Sequence, residues 1–334
     1  MRFKKALLIT IVLFVLIPSL IFSLFFRKKA KIFKLNVGMV VTQNDPMYMG
    51  AEEFKKNVEK RTNGNVTIEI FPSSQLGDTK DMQEQAKSGA NVAVITDAAR
   101  LAEMVPQIGI LGAPYIVDNF DEGRKLVTSS LFKGWTDELA SKYDLRVLSF
   151  NWYQGARHLL TNKPIKTPED LKGLRIRTPG ATVWQATIKA MGATPTALAW
   201  AEVYPGIQQK VIDGAEAQYP AIDGARLYEV IKYITETGHF QLITPLVCSE
   251  AWFQKLPKNY QKILLEEALK AGDYASQQTI NSIDSIKTKL QSEGVTINQV
   301  DITPFKERCS TVYDQIDDYR AIKDQVDKML GKKM

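Results

Sequence analysis

Leu174-Arg175-Ile176-Arg177-Thr178 sets two guanidinium groups at alternate positions of a strand-like run, so both leave one face and Ile176 leaves the other. A guanidinium is a planar fork of donors. It meets a carboxylate through two parallel hydrogen bonds, which the point charge of lysine cannot reproduce. The run alone leaves two readings open: a carboxylate grip, or two arginines on a solvated sheet edge. Trp184 and Trp200 follow and supply apolar area that can wall a pocket or fill a core. Covalent and metal chemistry has less to work with. There are two histidines, His158 and His239, and no His/Cys set at metal-binding spacing. No Gly-x-Ser-x-Gly elbow or phosphate-binding glycine loop is present either. His158 adjoins Arg157 and reads as a strand or hinge residue rather than a base. These residues suit binding better than catalysis. A hydrolase built from scattered residues is the least supported alternative.

Such groups need elements to hold them. Strand-like and helix-like segments alternate from residue 32 onward. Phe33–Val41 and Val66–Phe71 read as strands, and Asn91–Thr96 reads as a buried one. Asp45–Lys60 is helical, with Met47, Ala51, Phe54 and Val58 on one face, and Asp78–Lys87 is helical too. The alternation predicts an α/β fold of βαβ units with mainly parallel sheets. Leu145–Trp152, His158–Thr161 and Leu174–Thr178 read as further strands. Thr167-Pro168-Glu169-Asp170 starts a helix with Thr as N-cap and Pro at its first position. Ala181–Met191 is a helix stopped by Gly192. From Leu256-Pro257 a helical pattern runs to Gly294; about 35 residues of helix measure roughly 50 Å, longer than one small domain.

At 334 residues two domains are expected. The net charge of +6 is misleading until it is divided. Residues 1–34 hold eight Lys and Arg and no acid, which leaves −2 for the rest. A near-neutral body offers no field for nucleic acid. The basic residues flank an uncharged apolar run, Ala6–Phe26, whose 21 residues are long enough to cross a bilayer as a helix. It is either an uncleaved anchor or a cleaved signal peptide, and no Ala-x-Ala site follows it. Both readings place the body outside the cytoplasmic membrane. An exported chain could pair Cys248 with Cys309, but the apolar neighbours of Cys248 suggest a buried thiol instead.

Four blocks, in order, carry a resemblance: Gly155-Ala-Arg157-His158-Leu-Leu-Thr-Asn, Thr167-Pro-Glu-Asp-Leu-Lys-Gly-Leu-Arg175-Ile-Arg177-Thr-Pro-Gly180, Gly192-Ala-Thr-Pro-Thr-Ala-Leu-Ala-Trp200-Ala-Glu202, and Asp213-Gly-Ala-Glu216-Ala217-Gln218. Ser73-Ser-Gln75-Leu-Gly-Asp78 and Ala98-Ala-Arg100 fit as well. Together they resemble the solute-binding proteins of TRAP-type (DctP-like) transporters, which capture organic acids outside the membrane for ion-driven uptake. The resemblance implies a two-domain periplasmic-binding-protein-like fold with a ligand cleft, a hinge and a domain-spanning helix. The implied division is 1–31 as anchor or signal, 32–154 plus about 242–285 as one domain, and 155–241 plus about 286–334 as the other.

The resemblance also assigns roles. Arg177 aligns with the arginine that grips the ligand carboxylate in relatives, and Arg157 with a second arginine near the ligand. Arg100 and Asp97 match a basic–acidic pair on the opposing domain, Trp200 an aromatic position, and Glu216 an acid near the pocket. Trp184 is a further candidate wall. No metal or organic cofactor is implied. The implied partners are a small carboxylate and a TRAP-type permease, with the membrane engaged through the N-terminal segment if it is uncleaved. A membrane-tethered receptor is the alternative. The chain departs from the family pattern at Ala217 and Gly180, where relatives often carry polar residues. Those losses, with Trp184 and Trp200 as apolar walls, lead us to expect a small 2-oxo, 2-hydroxy or aromatic monocarboxylate rather than a sialic acid.

Overall fold

The computed structural model describes residues 31–332. The apolar run Ala6–Phe26, and with it the choice between anchor and signal, lies outside the described residues. None of the described helices is long and apolar enough to cross a membrane. From Lys34 onward the chain forms one compact unit.

One mixed sheet runs through it. Its strands are β1 (Phe33–Gly38), β2 (Val66–Phe71), β3 (Val92–Ile95), β4 (Leu145–Thr161), β5 (Arg175–Thr178), β6 (Thr194–Ala197), β7 (Gly214–Ala217), β8 (Tyr233–Ser249) and β9 (Thr296–Asn298). They lie in the order β2-β1-β3-β8-β4-β7-β5-β6, with β9 on β8. β1 pairs parallel with β3, and β5 with both β6 and β7, as alternation predicts, whereas β3 meets β8 and β7 meets β4 antiparallel. The join between the halves departs from the expectation. β4 and β8 are each 17 residues long and pair antiparallel from Leu145↔Ser249 to Thr161↔Tyr233. The sequence shows β4 as two strands separated by Tyr153–Arg157, yet the structure runs through, shifting register between Tyr153 and Gly155 and between Arg157 and Leu159.

The helices follow their apolar faces. Pro46–Arg61 is capped by Asp45, which accepts from the Met47 amide at 2.8 Å, and it buries Met47, Ala51, Phe54 and Val58. Thr167 caps a single 3-10 turn, Pro168–Leu171, and Gly192 ends Thr182–Met191 with a φ of 109°. The long helix spans Lys258–Ser292, 35 residues, about 50 Å. Small residues let it lie close to β4: the Asn151 amide reaches the Leu269 carbonyl at 2.7 Å and Asp273 at 2.9 Å. The Ser276 hydroxyl accepts from the Tyr153 amide at 2.8 Å, where the irregular register of β4 interrupts the ladder.

Three of the buried clusters show how these elements pack. One gathers residues of the 82–153 region with Phe240, Val247 and the C-terminal residues Val312, Tyr319 and Val326. The second, around Ile207, Ala215, Ile222 and Ile234, includes Leu290 of the long helix. The third joins Leu159, Ile176 and Ile188 to Phe305 and Cys309. Both thiols are free and buried, and burial pushes each pKa up, that of Cys309 to about 12. β4, β8 and the long helix cross from one half to the other, as the two-domain plan implied by the resemblance requires.

Candidate functional site

A cavity of about 520 Å3, counting its open mouth, lies where the two halves face each other. β5 delivers Arg177 to it. The side chain is 2% exposed. Its Nε and Nη2 donate to the Leu198 carbonyl at 3.0 and 2.8 Å, and Trp200 lies under the guanidinium at 5.4 Å. Nη1 has no hydrogen-bond partner and no carboxylate pairs with this arginine among the described residues. Burial, and then the positive field of Arg157, bring its pKa down to about 9; Glu216 opposes them, and Arg100 adds to them.

Arg157 differs. It leaves β4 toward β7, where Leu159 stands opposite Glu216. Its Nε meets Glu216 Oε2. Its Nη2 donates to Glu216 Oε1 at 2.8 Å and to the Glu216 carbonyl at 2.7 Å, and Nη1 donates to Gln218 at 3.0 Å. Glu216 also accepts from Thr178 at 2.9 Å, and His239 Nε2 lies 3.7 Å away. Burial alone would push the Glu216 carboxyl up. The Arg157 charge and these hydrogen bonds outweigh it and hold the group at about 2. Burial pushes both histidines down, His158 to about 3, where its Nδ1 accepts from the Gly238 amide at 3.1 Å. Their neutral rings are structural, as expected for His158.

On the opposite wall Asp97 caps a short helix and takes Arg100 as its partner through the backbone amide, at 2.8 Å, and the guanidinium. Trp184, 2% exposed, packs against Phe240 at 5.5 Å and under Arg157 at 5.2 Å. Thus Arg177, Arg157, Arg100, Asp97, Trp184 and Trp200 all line this one cavity. Glu216, expected near the pocket, does not line it; it sits fully buried behind Arg157 and is paired with it. Arg175, on the same strand as Arg177, turns to Asp213 at 2.9 Å and lies outside the cavity.

Sequence reasoning missed the polar rim: Asp78, Thr96, Gln154, Gln218 and Thr244 face the same space. Gln218 donates to Gln154 at 2.9 Å, and Gln154 donates to Thr244 at 3.1 Å. Asp78 and Gln218 stood inside quoted motifs. Thr96, Gln154 and Thr244 are single polar residues at or near strand ends with no local signal. Two premises of the expected small monocarboxylate change here. Ala217 is buried in a core cluster rather than facing the cavity, and Gly180 lines a neighbouring space.

A cleft between two halves, built on a buried arginine that has no acidic partner among the described residues and rimmed by amides and hydroxyls, is the site of a solute-binding protein. Residues 37–318 match the family model of bacterial extracellular solute-binding proteins, family 7 (DctP), and the chain belongs to that family. It is 29% identical over 283 residues to the sialic acid-binding periplasmic protein SiaP of Vibrio cholerae, covering 85% of this chain and 88% of that one. Among solved structures it is similar to a TRAP periplasmic solute-binding protein of Escherichia fergusonii in an apo open form, at 42% identity and a TM-score of 0.78, over 89% of this chain and 99% of that one. It is also similar to one from Ochrobacterium anthropi with bound L-fuconate, at 35% identity and a TM-score of 0.87, over 90% and 99%. The fold therefore lies nearer the ligand-bound relative than the open one, although the open one is nearer in sequence.

Proposed function

We propose that this protein captures a monoanionic sugar acid outside the cytoplasmic membrane and delivers it to a TRAP-type permease driven by an ion gradient. One observation carries the reading: Arg177 is a buried guanidinium with no acidic partner, whereas Arg157 and Arg100 are each paired. An unpaired buried charge is costly, and an incoming carboxylate removes that cost. Nη1 and the second proton of Nη2 are left for it. Asp78, Thr96, Gln154, Gln218 and Thr244 then offer partners to hydroxyl groups. This moves the expectation from a small 2-oxo, 2-hydroxy or aromatic acid to a polyhydroxylated one. Relatives support the reading: two are binding proteins for sialic acid and 2,3-diketo-L-gulonate, and others hold bound L-fuconate, L-galactonate and D-glucuronate. Two others hold sn-glycerol-3-phosphate and diglycerolphosphate, which are also anions.

Arg177, Trp200, Arg157 and Trp184 bind the acid end in this scheme, Arg100 and Asp97 face it from the opposite domain, and Glu216 fixes Arg157. We place the domains at 32–154 plus about 242–285 and at 155–241 plus about 286–311, with the tail from Val312 returning to the first. Residues 6–26 anchor the body to the membrane. N-terminal sequencing of the native protein tests that; a mature chain starting near Leu24 or later would refute it. Contacts from both domains to one ligand favour closure, because only differential affinity shifts such an equilibrium.

The experiment is a thermal-shift titration of residues 32–334 against D-glucuronate, L-fuconate, L-galactonate, pyruvate and sn-glycerol 3-phosphate. A ligand at a hundred times its Kd stabilises by about 2.7 kcal/mol. No shift from any acid would sink the carboxylate reading, and a shift from pyruvate alone would return the ligand to the smaller class. Uptake into liposomes holding the matching permease tests the partner; transport that ignores this protein would refute it.

A further inference from the structure

The space around Arg177 does not end at the first cavity. A second one of about 680 Å3, counting its open mouth, adjoins it, and Asp78 and Arg100 line both. Leu198, whose carbonyl takes Nε and Nη2 of Arg177, lines the second. Its two walls differ in character. One presents Gly180, Ala197 and Ala199, a face of backbone and methyl groups. The other presents Lys80, Glu84 and Glu103, all exposed. Among the described residues, neither the Lys80 amine nor the Glu103 carboxylate has a hydrogen-bond or ion-pair partner.

Gly180 lines the second space, next in the chain to Pro179 of the first. Its φ is not positive, and a Cβ added there would meet only the Ala197 Cβ, at 3.6 Å, an ordinary contact. A side chain would therefore fit without strain, and it would stand in the space that glycine leaves open. A pyranose has an apolar C–H face and a rim of hydroxyls. A methyl-and-backbone wall opposite charged donors and acceptors matches that shape.

We propose that the second cavity is a subsite for a second sugar residue, so that the ligand is an acidic disaccharide with its carboxylate on Arg177 and its distal ring in the mouth beside Gly180. This rests on the carboxylate reading of Arg177. The test is calorimetry on residues 32–334 with two matched pairs of monoanions, D-gluconate against lactobionate and D-galacturonate against D-galacturonosyl-(1→2)-L-rhamnose. In at least one pair the disaccharide binds ten times tighter or better. Gly180→Gln erases that advantage and leaves the monosaccharide acid within twofold, which also shows that the variant is folded. Binding of monosaccharide acids with both disaccharides excluded overturns the subsite, as does a G180Q variant that affects both members of a pair equally. Binding of none of the four overturns the carboxylate reading itself, and the subsite with it.

Discussion

Replacing Arg177 by Met separates a ligand-binding arginine from a structural one. In the unliganded protein this guanidinium is a burden: burial and the nearby Arg157 lower its pKa from 12.5 to about 9, a penalty on the order of a few kcal/mol for holding the charge. Met removes that penalty. It also strands the Leu198 carbonyl, at about 1–3 kcal/mol, and loses the stacking on Trp200, at about 0.5–2 kcal/mol. These effects oppose and largely cancel, so the unliganded Arg177→Met variant keeps its stability to within about 2 kcal/mol, or gains. Binding has no such compensation. Two charge-assisted hydrogen bonds at about 1.5–3 kcal/mol each amount to at least a hundredfold in Kd. Scanning calorimetry of the unliganded body and titration calorimetry with the acid measure the two quantities separately. A loss of more than about 4 kcal/mol of stability, or an unchanged Kd, would refute the reasoning.

Arg157→Met leaves the Glu216 carboxylate buried and unpaired, so urea unfolding reports a loss of about 3–5 kcal/mol, and adding Glu216→Gln recovers much of it. Asp45 is raised from 3.8 to about 7 by burial, only partly opposed by the Met47 amide. Between those values the folded protein holds a proton that the unfolded chain lacks, so its contribution to stability falls as pH rises from about 4 to about 7. Asp45→Asn keeps the cap, removes that slope and is more stable at pH 8, as unfolding midpoints across that range will show. Gly272→Ala sets a methyl carbon 2.3 Å from the Asn151 side-chain oxygen and costs about 1–3 kcal/mol in the same assay, since Asn151 is held by two further bonds.

The helices were legible because their information is local. Met47, Ala51, Phe54 and Val58 recur at helical spacing, and Asp45 and Gly192 mark ends by side-chain capping and by a left-handed turn. The long helix is likewise a local pattern. β8 was not legible. Gly238 and Pro245 punctuate Tyr233–Ser249 like a pair of turns, and its continuity comes from pairing with β4, almost a hundred residues away in sequence. The same holds for β4, where Gly155 with a φ of 110° reads as a break and is a bulge. Of the residues lining the cavity, the motif blocks led to Arg177, Arg157, Arg100, Asp97 and Trp200, and aromatic character alone to Trp184. Thr96, Gln154 and Thr244 were hidden, because a lone polar residue at a strand end is given meaning only by what folding sets opposite it.

Arg157 occupies a position in β4 beside one of its register shifts, opposite Phe240 of β8. On the proposed reading, the floor of the cleft and the strand that would bend to open it are thus the same few peptide units. A hinge set apart from its cargo could be stiffened or loosened by mutation while the grip stayed as it was. On that reading a substitution that changes how easily β4 bends would also move the Arg157 donor cluster, and capture strength and release speed would be inherited together as one trait.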